Sequence, residues 1–311
     1  GEWIGTLKDP ELGDIGRQFL DQTAKSGCTE KADVSLTTSV AAYCSFSYEP
    51  RGFLNQVTYG AAAEESMVRL FASKVHETTH ALQKMLSPAL HASPFNPDTK
   101  IVICPRDWML LEERCEQDAY AKQAYFCSLL APYLPEIRES MQRSALSVEE
   151  FEKIRGSAPD INQALIEATR QALNKNFYKN DPDGEYRFKN KIQDQALKNY
   201  EAGMDLRRED GETGLIFVRL EPEDIAAIGA SCGSNMFGEK GVLPEFLANP
   251  VMLRDTQKKL AGINKSCGIA DSDKLPTLSE ALKKIGLTRE QFIAKADKNN
   301  PPAPASPPPQ P

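Results

Sequence analysis

One stretch of this chain leaves little freedom in how it can fold. From Ala61 to Met85 there is neither Gly nor Pro, and Ala, Glu, Met, Leu, Lys and Gln are frequent. Met67, Leu70, Phe71, Val75, Thr78, Leu82 and Met85 recur at three- and four-residue steps, which predicts an amphipathic helix. Gly60 precedes it and Ser87-Pro88 ends it. Inside it stands His76-Glu77-Thr78-Thr79-His80, which uses two of the three histidines in 311 residues. Residues four apart share a helix face. Both imidazoles can therefore close on one metal ion, and Glu77 can reach a water held there. The bland alternative is a helix decorated by two unrelated histidines. The spacing, the bracketed Glu and the scarcity of histidine elsewhere favour the metal.

A catalytic zinc commonly has three protein ligands and one open position. His91 is a poor third ligand, since it lies beyond Pro88 and reads as a loop residue. Acids are better placed. A second long helix begins after Cys104-Pro105, with Asp107 as its N-cap or first-turn acid. Glu112, Glu116, Ala119, Tyr120, Gln123 and Cys127 fall along one stripe of it. Glu116, Glu112 and Glu113 are the candidates, set against the usual fate of such acidic runs, a solvated helix face.

The order of these motifs resembles bacterial metallopeptidase families of the gluzincin type. The resemblance runs over about residues 30–130. It rests on Tyr48 to Gly60, on Val75-His76-Glu77-Thr78-Thr79-His80-Ala81-Leu82-Gln83, and on Glu116-Gln117-Asp118-Ala119. It implies a zinc-dependent hydrolase of peptides, with the third ligand on the helix facing the histidines. Glu116 is the first choice there, because Glu116 to Ala119 is similar to an E-x-D-A run in such families. Glu112 comes second, with Glu116 as its partner one turn on, and Glu113 third. The thermolysin-like E-x-x-x-D spacing is absent from this helix. The resemblance further implies that Glu77 takes a proton from a zinc-activated water and passes it to the leaving amine. Tyr120 is a candidate to stabilise the oxyanion.

Ala42 to Phe46 and Phe53 to Tyr59 read as two short strands around Glu49-Pro50-Arg51-Gly52. In zincins an edge strand beside the active-site helix binds the substrate backbone as an added strand. An ordinary structural hairpin fits the same residues. Residues 12–27 read as a first amphipathic helix. Ser147 to Glu150 has capping-box form. Helices are expected over Ile161 to Phe177 and Phe188 to Met204, then a strand over Gly214 to Leu220 and a helix opening at Glu221-Pro222. A glycine-punctuated loop follows at 229–242. Further helices are expected at about 250–262, 277–285 and 288–297. The Asp-rich turn at 180–184 lacks EF-hand ligand spacing.

The expected fold is α+β and predominantly helical. A zincin-like core over 1–145 carries a helical region over 146–300, and a proline-rich tail over 301–311 serves as an extended linker or as a ligand for a proline-binding partner. A net charge of -7 gives no basic surface for nucleic acid, and no apolar run approaches a membrane span. Seven cysteines without a C-x-x-C pair fit reduced thiols in a cytoplasmic protein. A cysteine nucleophile would have to borrow a histidine from the pair. Three other readings compete with a general peptidase. They are a structural zinc on a degenerate, non-catalytic peptidase fold, hydrolysis of a non-peptide amide or ester, and a substrate-selective toxin or secreted effector protease.

Overall fold

A computed structural model describes residues 29–33, 42–49, 52–60, 67–86, 99–142, 144–175, 187–209, 211, 213–231, 252 and 254–292. The helix expected at 12–27, His91, the chain from 232 to 251 and the proline-rich tail lie outside them. The described chain is α+β and mostly helical.

Strands β1 (Thr29–Asp33), β2 (Ala42–Glu49) and β3 (Gly52–Gly60) form one sheet in the order β1-β3-β2. The two expected strands are β2 and β3, antiparallel in register from Ala42↔Tyr59 to Glu49↔Gly52. Pro50 and Arg51 make the link, where Pro cannot continue a ladder. Their β-branched and aromatic residues suit a pleated surface. β1 joins on the far side, parallel to β3 from Thr29↔Gln56 to Asp33↔Gly60. This leaves β2 at an edge among the described strands, and it is β2 that the histidine helix covers most.

That helix, α1 (Met67–Leu86), covers the breaker-free stretch from Met67 on, and residues 61–66 lie outside the described residues. Its buried threonine Thr79 satisfies its hydroxyl within the helix by donating to the Val75 carbonyl at 2.8 Å. A short parallel pair follows from β4 (Ile101–Ile103), which reaches across the chain to β5 (Ile216–Val218). Helix α2 (Pro105–Leu130) starts with Pro105 in its first turn, where the missing N–H costs nothing. Cys104 is its N-cap and makes no side-chain cap. Asp107, expected as N-cap or first-turn acid, lies in the first turn. Its Oδ2 accepts from the Leu220 main-chain N–H at 2.6 Å and its Oδ1 from Arg106 at 3.0 Å. The remaining helices are α3 (Glu136–Met141), α4 (Val148–Ser157), α5 (Ile161–Lys175), α6 (Arg187–Glu209), α7 (Pro222–Ser231), α8 (Arg254–Ser266) and α9 (Leu278–Lys284). The Ser147–Glu150 capping box opens α4 as expected. Gly229, placed by sequence in a loop, lies inside α7, where its neighbours Ala226, Ala227 and Ala230 are strong helix formers.

Helix α2 is buried on nearly every side, as a helix in the middle of a core must be. Its first half, Trp108 to Cys115, packs with β4, β5, α6, α8 and α9 around the fully buried Tyr200. The Tyr200 hydroxyl donates to the Ile103 carbonyl at 2.9 Å. Its second half, Ala121 to Leu130, packs with α1, α3, α4 and α5 around Phe151. The boundary expected near 145 falls between Ala145 and Leu146, both buried in that second cluster.

Candidate metal centre

Two side-chain amides tie α1 to α2. Gln123 of α2 donates to the Ala72 carbonyl at 3.0 Å, and Gln83 of α1 donates to the Cys115 carbonyl at 3.0 Å. Early α1 thus meets late α2, and late α1 meets early α2, so the helices are antiparallel and the ties bracket the histidines. Ala81, Ala119, Ala121 and Ala124 are fully buried, and such small side chains suit a close approach.

The approach brings Glu116 of α2 to both histidines of α1. His76 Nε2 and His80 Nε2 lie 3.1 Å apart. Glu116 Oε2 is 3.4 Å from His76 Nε2, and Glu116 Oε1 is 3.3 Å from His80 Nε2. A tetrahedral ion with bonds of about 2.0–2.1 Å separates its donors by about 3.3–3.4 Å. The three separations fit that triangle closely. The two carboxylate separations are also longer than the roughly 2.7–2.9 Å of a charge-assisted hydrogen bond. Two imidazoles and one carboxylate are a donor set that open zinc sites share with the facial triad of Fe(II) sites. Among the described residues, His76, His80 and Glu116 form the group able to hold an ion.

Burial opposes the charge on Glu116, but His80 and His76 beside it prevail and hold its carboxyl well below the usual range. The Glu116 side chain keeps 30% of its surface exposed against 10% for each imidazole, so the centre opens on the glutamate side. A cleft of about 490 Å³ lies there between α2 and α6, lined by Glu112, Glu116, Ile192 and Asn199 among others. Glu77 is buried beside His76. Tyr120, one turn after Glu116, sets its ring 4.5 Å from that of His76. Burial raises the Tyr120 phenol pKa, and the charges of Glu116 and then Glu77 add to this, so the ring stays a neutral donor.

The other candidates part company with the histidines. Glu113 is fully buried and faces α6, where Gln193 Nε2 donates to it at 3.4 Å. Glu112 lines the cleft rather than joining the three ligand atoms. The acidic run is therefore no solvated face: Glu113 and Asp118 are buried and Glu116 is at the centre. Burial pushes the thiols of Cys104 and Cys127 up, Asp107 adding to the effect at Cys104, which makes them poor nucleophiles. Gln83 escaped notice in the sequence as a site residue. Its position three after His80, on the same face, was the available signal. No described helix is long and apolar enough to cross a membrane. Comparison with family models, with curated proteins and with solved structures returned no match.

Proposed function

We propose that the chain is a zinc-dependent metallopeptidase of the gluzincin kind, with His76, His80 and Glu116 holding the ion and Glu77 as general base. The observation that carries this reading is the triangle of donors at 3.1, 3.3 and 3.4 Å, built from H-E-x-x-H on one helix and Glu116 on the next. When bound, zinc lowers the pKa of a coordinated water and polarises the scissile carbonyl. Glu77 would accept a proton from the attacking water and deliver it to the leaving amine nitrogen. Tyr120, a neutral phenol against His76, offers a hydrogen bond to the oxygen on which negative charge develops. The outer edge of β2, next to α1, offers backbone groups to an extended substrate. The α2–α6 cleft receives the substrate beside Glu116. In this reading the hairpin, α1 and α2 are the zincin-like core.

A closed structural zinc needs a fourth protein ligand. Glu77, bracketed by the two histidines, favours a catalytic site, since a purely structural one has no need of a general base. Metal analysis tests the reading directly on protein never exposed to chelators. The expected result is about one zinc per wild-type chain and almost none in His76→Ala. Substoichiometric zinc in the wild type overturns the reading. So does stoichiometric iron, because two histidines and a carboxylate also form the facial triad of Fe(II) oxygenases.

The cleft has its own test. Asn199→Trp places a large ring in it without touching the ligands. It is expected to raise KM for a peptide substrate roughly tenfold, with kcat and zinc content unchanged, as for lost uniform binding. Unaltered KM would remove the cleft from the substrate's path.

A further inference from the structure

The two candidate ligand histidines are held unequally. His76 Nδ1 is buried and has no hydrogen-bond partner among the described residues. His80 Nδ1 is 3.0 Å from Gln83 Oε1. The Gln83 amide in turn faces two groups of α2, the Cys115 carbonyl at 3.0 Å and Asp118 Oδ2 at 2.8 Å. A main-chain carbonyl and a carboxylate only accept, so the amide nitrogen must face them. The reverse orientation would set Oε1 against two other oxygens. Gln83 Oε1 is therefore fixed toward His80, and because it too only accepts, His80 Nδ1 carries the proton. A neutral imidazole protonated at Nδ1 has its lone pair on Nε2, the atom 3.3 Å from Glu116 Oε1.

The rest of the network explains why this arrangement holds. Gln83 and Asp118 are each 2% exposed, so water does not compete for their hydrogen bonds. Lys122, one turn after Asp118, reaches the same Oδ2 at 3.0 Å and offsets the buried charge. The order is thus Lys122, Asp118, Gln83, His80, with the negative charge two hydrogen bonds behind the imidazole.

We infer that Gln83 and Asp118 are positioning residues for His80, locking its Nδ1–H tautomer and ring orientation so that Nε2 is presented before any ion arrives. His80 is then the preorganised ligand and His76 the adjustable one. Residues with this role typically change metal affinity 10–100-fold when removed. The inference rests on His80 being a zinc ligand, as proposed above, but half of it concerns the zinc-free protein.

The test therefore has two readouts on the full chain. Long-range ¹H–¹⁵N correlation of the zinc-free wild type is expected to show His80 in the Nδ1–H tautomer alone, and Gln83→Met to show a mixture. Competition with a chelator is expected to show zinc affinity about 10–100-fold weaker in Gln83→Met and in Asp118→Ala. Asp118→Asn keeps an acceptor for Gln83 and is expected to recover most of the loss, which a mere packing role would not predict. If Gln83→Met binds zinc as tightly as wild type and keeps the His80 tautomer, the inference falls alone. If wild type takes up no zinc, the proposed function falls and takes the inference with it.

Discussion

Glu77→Gln is expected to keep its zinc and lose its turnover. Gln has the size and shape of Glu but cannot accept a proton, so the change removes the base and little else. General-base catalysis contributes about 10²–10⁴-fold, and peptide hydrolysis should drop by that order. The measurement pairs kcat/KM on a cleaved peptide with metal content of the same preparation. Its value lies in the pairing. Zinc retained with activity lost assigns Glu77 to the proton. Zinc and activity lost together would assign it to holding the site, and the mechanism would need another base.

Removing zinc is expected to cost stability as well as activity. Without the ion, two imidazole nitrogens and a carboxylate converge within 3.4 Å in a largely buried place. A ligand that binds only the folded state stabilises it by about 2.7 kcal/mol at a free concentration 100 times its Kd. For a chain of this size that is a melting-temperature rise of roughly 4 °C. Melts with added zinc and with a chelator measure the difference in wild type and in Glu116→Ala. The expected gain appears in the first and vanishes in the second. A wild-type melting temperature indifferent to zinc would contradict an ion in that triangle.

How much of this was readable from sequence depended on how local each feature is. The β2–β3 hairpin was legible because Pro50 and Gly52 punctuate it and its strands pair across two residues. Helix α1 was legible from its periodicity, and the Ser147 cap from a three-residue spacing. The pairing of Ile101–Ile103 with Ile216–Val218 was not, since three-residue strands carry no period and their partners are far apart in the chain. Nor was β1, whose Thr-Glu-Lys-Ala-Asp has no apolar alternation and whose partner in the sheet is β3 rather than the next strand. At the centre, His76, Glu77 and His80 were one word in the sequence. Glu116 ranked first of three acids by resemblance alone, and the physical reason for it is the rotation of α2, which its burial on both halves sets. Gln83 shared a helix face with His80, but an amide has no metal-binding signature, and its role appears only when its partners on α2 are known.

That double burial of α2 has a consequence of its own. One half of the helix belongs to each cluster, and Glu116 lies between Cys115 of the first and Tyr120 against the second. Neither cluster can loosen without releasing one end of the helix that aims the carboxylate. The middle turns of α2 should therefore open to solvent only in the rare excursions that dissolve most of the fold, the slowest class of amide exchange. Lesions far away in sequence, in Phe151 or Tyr200, would then reach the candidate centre through the same axle. The site is less a local pocket than a gauge of whether the two halves of the molecule are both in place.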